Sequence, residues 1–146
     1  MFFGRNLLHL LLWTIIIVIT VVGIWYGFEG AWDRQLFKTE PGRVCANLNA
    51  TQANTWLREH PSTQVLDVRS ANEFSGGALP HAINISLGDA TFDTKIAALD
   101  KAQPVLIYCA GGFRSRKAVA KLKKLGFQNI QHIHRGYMSW QPDSQP

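Results

Sequence analysis

The sequence predicts an α/β fold, a small and mostly parallel sheet flanked by helices on both faces, preceded by one transmembrane helix. Three observations carry this. An apolar run near the front is long enough to cross a bilayer. Behind it, short apolar runs alternate with helix-period segments. A glycine-rich loop headed by a cysteine joins one of those runs to the next helix. Composition agrees, since 47% hydrophobic and 17% charged residues fit a folded domain with a lipid-facing segment and exclude a disordered chain. The net charge of +5 is moderate and dispersed, and no nucleic-acid motif accompanies it. Two cysteines, Cys45 and Cys109, form neither a CxxC nor a zinc-type pair, which excludes a disulfide scaffold.

The anchor is expected within residues 1–28. Leu7 to Phe28 reads LLHLLLWTIIIVITVVGIWYGF, with Trp25 and Tyr26 near its end, where aromatic rings favour the headgroup level. A cleaved signal peptide is the rival reading. Around Gly27, Gly30 and Ala31, however, the residues two places earlier are Trp25, Phe28 and Glu29, too large for a cleavage site. Arg5 precedes the span and Arg34, Lys38 and Arg43 follow it, a slight basic excess that places the domain on the cytoplasmic side. Residues 29–43 have no clean period and contain Pro41-Gly42, so they read as a linker.

The domain is expected over 44–141, with a polar tail at 142–146. Cys45 falls in a first strand. VLDV (65–68), AINI (82–85), VLIY (105–108) and NIQHI (129–133) have strand length. Helices are expected over 51–59, 92–99 and 114–125. Ser70 to Glu73 has capping-box spacing, and Ala118, Leu122 and Leu125 share one helix face with Gly126 as the stop.

The densest chemistry lies in VLIYCAGGFRS, a buried strand, a cysteine at its carboxyl end, a glycine-rich loop and a helix start. Gly111 and Gly112 allow a tight turn whose amides point inward as an anion-holding nest. The helix start adds free N–H groups, and Arg114 adds a guanidinium. All three favour thiolate over thiol.

CAGGFRS, a cysteine followed by four residues and then Arg-Ser, resembles the active-site loop of rhodanese-like sulfurtransferases. LDVRSANEF (66–74), GALPHAINI (77–85), LGF (125–127) and RGYMSW (135–140) resemble further stretches of that family in its order, covering about residues 45 to 141. Four positions depart. Ala78 stands where the family often has His, His81 replaces the usual Gly, and Arg135 replaces the first of two glycines. Ala110 stands where many members carry Arg, a change that bears on which sulfur donor is used. The resemblance implies a small parallel sheet wrapped by helices and a two-step sulfur shuttle, in which Cys109 takes a sulfane sulfur from thiosulfate or a persulfide and passes it to a thiol or cyanide. It implies that Ala110, Gly111, Gly112, Phe113, Arg114 and Ser115 hold the substrate, with Arg69 in a secondary role, and that no metal or organic cofactor is needed. The expected partners are therefore a small sulfur donor and acceptor, together with membrane lipid along residues 7–28.

Two other functions compete. Cysteine-dependent phosphate or arsenate chemistry uses a loop one residue longer, C-x-x-x-x-x-R, and here that last position is Ser115. A membrane-tethered, non-enzymatic binding or regulatory module is the third reading, against which the presence of Cys109 counts. Asp67, Arg69 and Glu73 read as strand end, ion pair and helix cap. His132 and His134 form an HxH pair with no third metal ligand, expected as surface or half-buried strand residues. Lys117, Lys121, Lys123 and Lys124 read as a solvated basic helix face.

Overall fold

A computed structural model describes residues 3–38 and 40–140. The polar tail expected at 142–146 lies outside the described residues. The chain divides into two compact units, residues 1–35 and 36–146.

The first unit is a helix, α1 (Phe3–Leu36). It does not stop at Phe28, as the expected linker would require, but runs on to Leu36. Glu29 to Leu36 contains no proline, and a lone Gly30 does not break a helix; the chain turns only ahead of Pro41-Gly42. At about 1.5 Å per residue, α1 exceeds a hydrocarbon core of about 30 Å. From Leu7 to Leu36 it is long and apolar enough to cross a membrane. Its two threonines return their hydroxyls to the helix itself, Thr14 Oγ1 donating to the Leu11 carbonyl and Thr20 Oγ1 to the Ile16 carbonyl, both at 2.8 Å. Neither hydroxyl needs water.

The second unit contains a five-stranded sheet of order β1-β5-β4-β2-β3 with every pair parallel, made of β1 (Val44–Leu48), β2 (Gln64–Asp67), β3 (Ile83–Asn84), β4 (Val105–Tyr108) and β5 (Asn129–Ile133). All four residues of β4 are buried, as a central strand covered on both faces must be. Strand alternation then sorts the core. Val65, Leu106, Tyr108 and Ile133 share one face and pack with Ala53, Trp56 and Leu57 of α2 (Ala50–Glu59). Ile107, Ile130 and His132 take the opposite face, that of the buried Ser115, Ala118, Val119 and Leu122 of α5 (Phe113–Lys124).

Local chemistry sets the remaining boundaries. Asn49 caps α2 in a reciprocal box with Gln52, and Ser70 caps α3 (Ala71–Ser75) with Glu73. The helix expected over 92–99 is the shorter α4 (Phe92–Ala97). The edge strand β3 has two residues rather than the four of AINI. Asn84 Nδ2 donates to the carbonyls of Asp67 (3.1 Å) and Arg69 (2.9 Å), so its side chain does part of the work of a longer ladder. A short 3-10 turn, Gly136–Ser139, closes the unit.

Candidate active site

The carboxyl end of β4 delivers Cys109, 1% exposed, to the head of a loop that ends where α5 begins. Two donors converge on its sulfur: the Gly112 amide at 3.1 Å and the Ser115 hydroxyl at 3.4 Å. Gly112 achieves this with φ +91°, a conformation suited to glycine, and a Cβ there would collide with the His134 carbonyl oxygen. The loop's outer edge is open: Gly111 and Phe113 are exposed and Ala110 is half-buried. Its base is tied down from behind, where the amides of Tyr137 and Met138 donate to the carbonyls of Cys109 (2.7 Å) and Ala110 (3.0 Å).

Arg114 opens outward into a two-pronged pair with Glu73, Nη1 to Oε2 at 2.7 Å and Nη2 to Oε1 at 2.6 Å. Glu73 also accepts from the Ser70 amide (3.0 Å) and hydroxyl (2.9 Å), so one carboxylate caps α3 and clamps the loop. The Arg114 hydrogen bonds, with smaller help from Ser70, pull the Glu73 carboxyl down to about 2. In return Glu73, and then Cys109, push the Arg114 guanidinium above its ordinary value.

Arg69 stands behind the loop. It is 4% exposed, and its Nε and Nη2 donate to the Asp67 carboxylate (2.8 and 2.6 Å) and its Nη2 to the Gly77 carbonyl (2.6 Å). Its guanidinium lies 4.1 Å from the centre of the Tyr137 ring, whose own amide holds Cys109. Burial opposes its charge, but Asp67 outweighs burial and the guanidinium is held above its ordinary value. Asp67, Arg69 and Glu73 thus form the strand-end, ion-pair and cap set read from the sequence, and the contacts of Arg69 are those of a scaffold.

Three contributors escaped the sequence reading. His132 is fully buried rather than at the surface or half-buried as expected. Its Nε2 lies 2.7 Å from Ser115 Oγ and its Nδ1 2.8 Å from Asn47 Oδ1. Its alternation with Ile130 along NIQHI was the available signal for an inward position. Asn47, on β1, had no local signal at all. Gly136 was visible only as half of an expected glycine pair; a Cβ on it would strike the carbonyl oxygen of Cys109. Cys45 is buried in β1 as expected, and burial pushes its thiol up to about 11. Among the described residues, no group of three His, Cys, Asp or Glu side chains could hold a metal ion.

The model of the Rhodanese-like domain family matches residues 49–143. A putative sulfurtransferase of Bacillus subtilis, YtwF, is 30% identical over 82 residues, covering 56% of this chain and 77% of its own. The tRNA uridine(34) hydroxylase of Cytophaga hutchinsonii is 34% identical over 87 residues, 58% of this chain, and the match spans 28% of that protein's length. Among solved structures, a rhodanese-like domain protein from Staphylococcus aureus superimposes with a TM-score of 0.59 at 26% identity, covering 67% of this chain and 93% of its own. A rhodanese-related protein from Thermoplasma volcanium does so at 0.56 and 30% identity, covering 68% and 94%. The match to the family model takes in β2 to β5, the cysteine loop and the Gly136 turn that pins it. The chain therefore belongs to the rhodanese-like domain family.

Proposed function

We propose that the protein is a rhodanese-type sulfurtransferase in which Cys109 carries the sulfur. The observation that supports this best is the sulfur's setting, at a strand's carboxyl end with a loop amide and a buried hydroxyl aimed at it. Thiolate Cys109 attacks the outer sulfur of thiosulfate. A Cys–S bond forms, the donor's S–S bond breaks, and sulfite leaves with the electron pair. The persulfide adds about 2 Å beyond Sγ, toward the open edge at Ala110 and Gly111. A thiolate or cyanide then takes the outer sulfur, and Cys109 leaves with its electron pair. A persulfide donor enters by the same displacement. Arg114 keeps N–H groups that Glu73 does not use, and these help bind an anionic donor. The four-residue spacing to Arg114, and Ser115 turned inward toward Sγ, support sulfur over phosphate or arsenate chemistry.

The residues that match the tRNA uridine(34) hydroxylase are a minor part of that protein, while YtwF is matched over most of its length; both facts favour simple sulfur transfer. α1 acts as a single-pass anchor holding this chemistry at a membrane surface.

Intact mass tests the reading. The full chain in detergent, reduced, freed of reductant and exposed to thiosulfate, should gain one sulfur atom that cyanide removes, while Cys109→Ser gains none. No gain from thiosulfate or any persulfide donor overturns it.

A further inference from the structure

The HxH pair formed by His132 of β5 and His134 just beyond it has no place in the shuttle described above, yet it sits at the end of an unbroken hydrogen-bond chain leading to Cys109. Asn47 Nδ2 lies 3.0 Å from His134 Nδ1, and Asn47 Oδ1 lies 2.8 Å from His132 Nδ1. On the far side of the ring, His132 Nε2 lies 2.7 Å from Ser115 Oγ, which lies 3.4 Å from Cys109 Sγ. The directions of these bonds follow from the ends inward. Asn47 presents an oxygen to His132 Nδ1, and an oxygen accepts, so Nδ1 carries the proton. In the neutral ring Nε2 is then an acceptor, and Ser115 donates to it. The Ser115 oxygen is left with lone pairs toward Cys109, whose thiol can donate to it. With the sulfur as thiol, every bond of this chain then points from sulfur to imidazole, the Ser115 proton being turned to the ring rather than to Sγ (3.4 Å) or to the Gly112 carbonyl (3.0 Å), the other two acceptors within its reach.

We infer that His132, acting through Ser115 and oriented by Asn47, takes the proton from the Cys109 thiol. The step balances. The thiol proton passes to Ser115 Oγ as the Ser115 proton passes to His132 Nε2, leaving a thiolate, a neutral hydroxyl and an imidazolium. The electron pair stays on sulfur, and nothing is oxidised or reduced. Ser115 then donates to the thiolate at the place where it had accepted from the thiol. The Gly112 carbonyl, 3.3 Å from His132 Nε2, accepts from the protonated ring, while the Gly112 amide already faces the sulfur. One residue, Gly112, therefore stabilises both charges through the two peptide units that flank its Cα. When the acceptor removes the outer sulfur and the cysteine is released, His132 returns the proton by the same route.

An aromatic ring and several charged groups stand around the imidazole. Phe37 stacks on it at 5.2 Å between centroids. On the segment that carries Phe37, Glu40 is paired with both Lys123 and Arg43. On the loop side, the buried Arg116 guanidinium lies against Gly112. Cys109, Ser115 and His132 are each 1% exposed or less, so bulk water does not compete for the proton. His132 is a positioning residue in the sense that it acts through Ser115, and a merely structural imidazole would lack the directional chain.

The inference rests on Cys109 as nucleophile but not on which atom it attacks, so its test uses alkylation rather than sulfur uptake. The rate of Cys109 alkylation by iodoacetamide, followed by peptide mass on the full chain in detergent, is measured from about pH 5 to about pH 10. His132→Gln retains a hydrogen-bonding amide without a basic nitrogen. It should slow alkylation about tenfold or more at neutral pH, and the rate should recover at high pH as the profile's midpoint moves up. Asn47→Asp should move the midpoint down, because a carboxylate on Nδ1 makes the imidazole more basic. Ser115→Ala should shift it as His132→Gln does, and the double variant should shift it no further. A His132→Gln profile of unchanged midpoint, or a loss that persists at high pH, overturns the inference. If His132→Gln fails to unfold cooperatively, an unmoved midpoint in Asn47→Asp does so. A shifted profile with no sulfur uptake would leave the relay standing and overturn only the sulfurtransferase reading.

Discussion

A methyl group added at Gly136 would strike the carbonyl oxygen of Cys109 and lie 2.7 Å from that of Ala110, at a φ of +57°. Gly136→Ala should therefore destabilise the domain by more than the roughly 1–3 kcal/mol of a strained backbone alone and abolish sulfur uptake, as read by thermal unfolding and intact mass. Its neighbour Arg135 is exposed with a φ of −108°, an ordinary conformation, so Arg135→Gly should leave both readouts nearly unchanged. That difference explains why this chain tolerates one departure from the family's glycine pair. The other backbone departure carries a cost. His81, where the family usually has Gly, is exposed with φ +59°, the sole non-glycine residue with positive φ among the described residues. His81→Gly should stabilise the domain by about 1 kcal/mol, seen as a raised unfolding midpoint. A lowered midpoint would mean that the imidazole makes a compensating contact.

At the scale of elements, α3 and the cysteine loop are joined through one carboxylate. Glu73 is held near 2, chiefly by the Arg114 hydrogen bonds, with Ser70 adding to them against a smaller opposing effect of burial. A depressed carboxyl stabilises the fold fully above its unfolded value of about 4.3, and that contribution is lost as pH falls toward 2. Glu73→Gln does not titrate. The stability gap between wild type and Glu73→Gln, measured by urea denaturation, should be open at about pH 6 and narrower at about pH 3. A gap independent of pH would show that the clamp works through shape rather than charge. The Ser70–Glu73 box was legible in the sequence because its partners are three residues apart. The pairing of Glu73 with Arg114, 41 residues away, was not, because no local period links them.

At the scale of the whole molecule, α1 carries exposed apolar side chains from Leu7 to Phe28 while the second unit holds its own core. The full chain should stay with membranes through an alkaline carbonate wash, and a chain begun at Leu36 should be released. Release of the full chain would show that α1 is not an anchor. The slight basic excess after the span predicts that alkaline phosphatase fused to the chain's end stays inactive, because that enzyme folds actively only outside the cytoplasm. Strong activity would put the proposed sulfur chemistry on the oxidising side, where Cys109 is open to disulfide capture.

Several features were determined by the sequence alone: the apolar helix, the α/β alternation, the cysteine at a strand's end and the loop length behind it. Each is written in neighbours a few residues apart, through periodicity, capping spacing and glycine placement. The bound of α1 moved because nothing local breaks a helix between Glu29 and Leu36, and that of β3 where side-chain bonds from Asn84 to the Asp67 and Arg69 carbonyls join the backbone pairing at the sheet edge. Only the tertiary structure decided what surrounds the sulfur. Asn47 and His132 are 85 residues apart and become partners because β1 and β5 pair in parallel register, Asn47 opposite His132. Ser115 meets them because α5 packs on that face of the sheet. Parallel pairing joins strands remote in the chain, so the groups that face one another across them leave no mark in any short stretch of sequence.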